Sequence, residues 1–152
     1  MTGTNHGMTG AVIALLVKEP ALAVPLSFLS HFACDAVPHW GWSLKPGEKL
    51  FGKRFTTMLI CDFIFAVVIM IVLGILFPSH RWLIWGCMIA AAIPDLMWAY
   101  YHLYLEKIKA QKPVYGTFGR FHKWIQWSET PKGLFVEGAW FVAMGAIILA
   151  QR

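Results

Sequence analysis

The chain has 152 residues and a formal net charge of +5, and its residues are 58% hydrophobic but only 14% charged. An ordinary soluble domain carries about 25% charged residues, and one domain of this size leaves much of its surface exposed, so lipid rather than water is the expected solvent for the apolar excess. The basic residues lie in loops rather than in a stripe, a pattern that reports orientation in a membrane, and no nucleic-acid partner is expected.

In chain order, residues 7–17 form a short apolar run that Lys18-Glu19-Pro20 interrupts, and a second run follows over 21–38. Pro20 suits the first turn of that second helix, and Pro25 is expected to kink it. The two runs read as a helical hairpin whose first arm either crosses or re-enters. Residues 56–77, 81–105 and 133–150 approach or exceed the roughly 20 apolar residues that a bilayer core requires. The predicted fold is therefore all-α, a single transmembrane domain of four to five segments. The N-terminus is neutral and polar, with no basic region before an apolar run, so no secretory signal is expected. Cys34, Cys61 and Cys87 fall inside apolar runs with no paired spacing and read as buried small hydrophobes.

Two basic loops remain. Residues 39–55 contain Lys45, Lys49, Lys53 and Arg54, and residues 106–132 contain Lys107, Lys109, Lys112, Arg120 and Lys123. If every segment crosses, both loops share a side with the N-terminus, and the positive-inside rule makes that side cytoplasmic. Within 113–131, Tyr115, Phe118, Phe121, Trp124, Ile125 and Trp127 predict an amphipathic helix lying at the interface.

Ionisable side chains inside membrane helices cost about 2.5–3.5 kcal/mol each on insertion, so each needs a reason. His31, Asp35 and His39 are spaced four and four, which places them on one helical face. Imidazole with carboxylate suits Zn²⁺, with Fe or Mn as second choices; the alternative is a hydrogen-bonded polar seam without metal. Asp95 follows Pro94 in a stretch of small residues, and His102 lies seven residues on, on nearly the same face. His6 precedes the first arm, and His122 sits in the aromatic loop. Topology sends His6, His31, Asp35, His39, Asp95, His102 and His122 to one half of the bundle, as candidate metal ligands. His80 lies at the other face and reads as a plain interfacial histidine. Asp62 is expected to pair with Lys or Arg or to orient an imidazole. Glu129 and Glu137 flank the turn into the last helix, and Glu137 is the better candidate for a ligand or general base.

His6-Gly7-x-Thr9-Gly10, His31-x3-Asp35 with Pro38-His39, Ile93-Pro94-Asp95 and a late His122 together resemble the membrane-bound metal-dependent hydrolases. That family is also described as LexA-binding, inner membrane-associated hydrolases. A more distant similarity is to zinc-dependent phospholipase C. The resemblance implies metal ligands at His6, His31, Asp35, His39, Asp95 and His122, and a place in a bacterial inner membrane. Pro38 is followed directly by His39, where the common pattern of the membrane family has Asp-x-Asp-His.

The expected function is hydrolysis of a phosphate ester, of a lipid or another amphiphile, by metal-activated water. Asp35 or Glu137 would take the water proton. Arg120 and Lys123 would hold the anionic headgroup, and Trp40, Trp42, Trp124 and Trp127 would bracket it. The rivals are a metal or proton transporter, a haem protein using His31 and His102, and a non-enzymatic scaffold with a structural metal. A relay needs ionisable residues through to the far face, where the sequence offers only His80, Lys18, Glu19 and the ends.

Overall fold

The structure is a computed structural model that describes residues 1–41, 52–110 and 114–152, with the side chains of His102, Leu103, Glu106 and Lys107 outside that description. It is all-helical, and the described residues contain no strand. α1 is Gly3–Val17, α2 Pro20–Ala36, α3 Lys53–Leu76 and α4 Arg81–Ala92. A 3₁₀ turn, Ile93–Asp95, a short helical piece α5, Leu96–Trp98, and a π-helical stretch, Ala99–Ile108, continue the fourth run. α6 is Thr117–Ile125 and α7 is Gly133–Leu149.

α1 is the central helix, touching α2, α3, α4 and α7. Small residues make this possible. A Cβ at Gly10 would lie 2.7 Å from the Cys87 carbonyl carbon and 3.0 Å from the Met88 nitrogen, so only glycine lets α1 and α4 approach this closely. Met8, Ala11, Leu15, Ile84, Cys87 and Met88 form the buried core around that contact.

α1 starts four residues earlier than the apolar run suggests. The reason is tertiary: Asp62 on α3 accepts the amides of Gly3 at 2.8 Å and Thr4 at 3.2 Å, two of the amides a helix start leaves unpaired. Asp62 thus caps α1, and among the described residues it pairs with no basic side chain. Pro25 lies inside α2, which runs unbroken across it. Pro94 acts differently. It breaks the expected single helix over 81–105 into α, 3₁₀, α and π pieces, because proline cannot donate to the helical ladder.

Two helices are long and apolar enough to cross a membrane, Lys53–Leu76 and Arg81–Tyr101. α1, α2 and α7 have 15, 17 and 17 residues, short of the roughly 20 that a span requires. α3 exposes an apolar surface along its length: Phe63 is 69% exposed and Ile75 72%. The interfacial helix expected within 113–131 corresponds to α6, which exposes Phe118, Phe121 and Trp124 on one side and buries Gly119 and His122 on the other. Lys45, Lys49, Lys112 and Trp42 lie outside the described residues, as does the His102 side chain.

Candidate metal centre

Four elements deliver the centre. α2 presents His31 and Asp35 one turn apart, the 3₁₀ turn presents Asp95, α6 presents His122, and α1 presents His6. All but Asp95 are fully buried; the Asp95 side chain is 35% exposed.

His31, Asp35, Asp95 and His122 each direct one ligand-type atom at a common point, all four atoms lying within 4.8 Å of one another. His31 Nε2 is 2.9 Å from His122 Nε2. Asp35 Oδ2 is 3.2 Å from His31 Nε2 and 3.1 Å from His122 Nε2. Asp95 Oδ1 is 3.7 Å from each of the two nitrogens. A tetrahedral zinc site with bonds of about 2.0–2.1 Å has ligand–ligand edges of about 3.3–3.4 Å. The observed spacings straddle that value, and the donor set of two imidazoles and two carboxylates suits such an ion. The described residues can therefore hold a metal ion here.

The backbone break beside Pro94 orients the first of these ligands. In the 3₁₀ turn the Asp95 amide bonds three residues back, which frees the Ala91 carbonyl. His31 Nδ1 donates to that carbonyl at 2.8 Å, fixing the tautomer with a bare Nε2 facing the other three groups. Gln126 Nε2 donates to Asp35 Oδ2 at 3.3 Å, and Ser128 ties the end of α2 to the segment after α6 through Val37 O at 2.9 Å. Phe32 meets the His31 and His122 rings edge-on, and Trp98 lies 5.5 Å from His122, which keeps water off the histidine side.

His6 stands on the other side of the carboxylates. Its Nε2 is 3.1 Å from Asp35 Oδ1 and 4.0 Å from Asp95 Oδ2, and its ring stacks on His31 at 4.0 Å. Among the described residues, that Asp35 contact is the nearest polar partner of His6 Nε2, and Nδ1 makes no hydrogen bond. The amino group of Met1 is the other neighbour of Asp35 Oδ1. Each aspartate thus turns one oxygen toward the His31–His122 pair and the other toward His6.

The remaining candidates lie apart from this cluster. His39 donates from Nδ1 to Val37 O at 2.8 Å, and its Nε2 lies 3.8 Å from Glu129 Oε1. Its backbone is pinned instead: Thr130 N donates to His39 O at 3.0 Å, and Gly133 packs so tightly on the His39 carbonyl that a Cβ would overlap it. Glu137 is buried, but its carboxylate is consumed by hydrogen bonds. Oε2 accepts from Thr2 N, Thr2 Oγ1 and Asn5 Nδ2, and Oε1 accepts from Trp40 N. That makes it an anchor for the N-terminal segment rather than a free base. Arg120 and Lys123 are exposed on α6.

Comparison with family models, curated proteins and solved structures finds no match. The sequence did not single out Asp62 as a cap, the Ala91 carbonyl, or Gln126 as a partner of Asp35. Gln126 was within reach of a spacing argument, since it lies four residues after His122 and shares its helical face.

Proposed function

We propose that the protein is a membrane-embedded, metal-dependent hydrolase that cleaves a phosphate ester of a lipid or similar amphiphile. The observation that carries this reading is the convergence of His31, Asp35, Asp95 and His122 at spacings suited to a four-coordinate divalent ion. Zinc is the first choice and Fe or Mn the second. A divalent ion bound there supplies Lewis acidity and a water acidic enough to ionise near neutral pH.

The residues around it divide the work. His31, held by the Ala91 carbonyl, and His122, packed against Phe32 and Trp98, keep fixed donors on the dry side. Asp95 faces outward and meets the substrate first. Asp35 would have to release the Met1 ammonium from Oδ1 before that oxygen could take a proton from a nucleophilic water. Asp35 Oδ1 and Asp95 Oδ2 face His6, but the Met1 ammonium already pairs with Asp35 Oδ1, which favours a single ion at the His31–His122 side.

α6 supports the choice of an amphiphile. It sets exposed Phe118, Phe121 and Trp124 beside Arg120 and Lys123, apolar groups for the acyl region and cations for a phosphate. Under the positive-inside rule the centre sits on the cytoplasmic side. A proton or metal relay is less well supported. Ser27, a buried hydroxyl on α2 between the centre and the opposite end, donates to its own helix at Ala23 O.

Metal analysis of freshly purified protein, with His31→Ala and Asp95→Asn beside it, tests the reading. Bound divalent metal in the wild type and its loss in both variants is expected, followed by headgroup release from a phospholipid panel. Wild type without metal ends the hydrolase reading, and metal without turnover across the panel ends the substrate assignment.

A further inference from the structure

At the end of the bundle away from the metal centre, a cavity of about 460 Å³ opens between the starts of α2 and α4. Along α1, Lys18 is twelve residues from His6, or about 18 Å of helix, so the two sites sit at opposite ends. Lys18, Ser79, His80 and Trp82 line the cavity, with Pro20, Val24, Leu83 and Gly86 as its apolar part. Among the described residues no acidic side chain lines it. The neighbouring Glu19 is turned to the Ala21 amide at 3.4 Å as the cap of α2. Arg81 stands beside it, stacked on the Trp82 ring at 5.5 Å.

Two further features point to the occupant. A Cβ at Gly86 would meet nothing within 4 Å, so space persists down the α4 surface. From there an apolar track continues on the same face, spaced four, three and four: Trp82, Gly86, Ile89 and Ile93. Trp82 is 72% exposed, Ile89 51% and Ile93 44%. Cations and a hydroxyl at the mouth, an interfacial tryptophan and an apolar track below match one kind of molecule, a negatively charged head on a long hydrocarbon tail.

We propose that this cavity binds the phosphate headgroup of an anionic phospholipid in the leaflet opposite the metal centre, with an acyl chain along α4. The proposal rests on the membrane reading but not on catalysis. His80, which reads from sequence as an ordinary interfacial residue, becomes part of the headgroup site.

The test is native mass spectrometry of the whole protein released from bilayer discs holding equal phosphatidylglycerol and phosphatidylcholine with the same acyl chains. Retention of phosphatidylglycerol is expected to exceed that of phosphatidylcholine by about 30-fold, as two cations near a membrane surface would give. Lys18→Gln combined with Arg81→Gln removes the preference by removing both cations at the mouth. Gly86→Leu removes it by filling the cavity, without touching a charged group. Thermal melting reports that each variant remains folded. Equal retention of the two lipids by the wild type, or a preference that survives either variant, overturns the proposal. Displacement of the lipid by millimolar inorganic phosphate overturns it too, in favour of a site for the free anion.

Discussion

His31 Nε2 and His122 Nε2 face each other at 2.9 Å, and both rings are fully buried. His31 donates its other proton to Ala91 O, so its Nε2 brings a lone pair to this meeting. Two imidazole nitrogens and the Asp35 and Asp95 carboxylates converge on one small volume, an arrangement that a cation stabilises and that is repulsive without one or a shared proton.

Removing one carboxylate should therefore be more damaging than its volume suggests. Asp35→Asn is expected to lower bound metal at least about tenfold, since it takes charge from both sides of the cluster at once. Metal content by elemental analysis after gel filtration measures this. Retention of wild-type metal by Asp35→Asn would falsify the assignment.

Protons and the ion compete for the same imidazoles. Protonation removes the lone pairs that bind metal, so affinity is expected to fall as pH drops and to recover as it rises. Titration with a competing chelator at several pH values reads the slope. A flat profile between mildly acidic and neutral pH is the contrary result.

Pro94 supplies a sharper test, because it acts on the site only through the backbone. Pro94→Ala is expected to let the α-helix continue. The Asp95 amide then takes the Ala91 carbonyl, and His31 loses its orienting partner. Metal affinity should fall about 10–100-fold, the usual effect of losing such an orienting contact, while helix content by circular dichroism holds or rises.

Asp62 and Glu137 are expected to matter for stability rather than chemistry. Asp62→Ala leaves two amides of α1 without a partner and should cost about 1–2 kcal/mol, the range for a lost helix cap. Glu137→Gln should lower Tm yet leave metal content close to wild type. Loss of turnover at an unchanged Tm in Glu137→Gln would instead restore it as a base.

Much of this arrangement is legible in the sequence, because helical spacing is a local property. His31 and Asp35 share a face by arithmetic, and Pro94 before Asp95 marks the break. The convergence of His6, Asp95 and His122 on them follows from which end of each run carries the polar residue. What the sequence does not carry is the partner of a polar group when that partner is backbone from another helix. Asp62 reads as a carboxylate seeking a cation, yet α3 approaches the start of α1, and unpaired amides there claim it. His39 continues the four-residue spacing of His31 and Asp35, but Val37 and Pro38 turn the chain out of the helix first. Its ring then bonds to Val37 O, away from that face.

Asp95 alone among the clustered groups reaches the surface, and this bears on when an ion arrives. His6, His31, Asp35 and His122 are sealed by α1, α2 and α6 once those helices meet. Among the described residues, an ion bound in this cluster would reach solvent past the one exposed carboxylate, Asp95. That exposed carboxylate would then be the first group to meet an incoming ion and the last to release it.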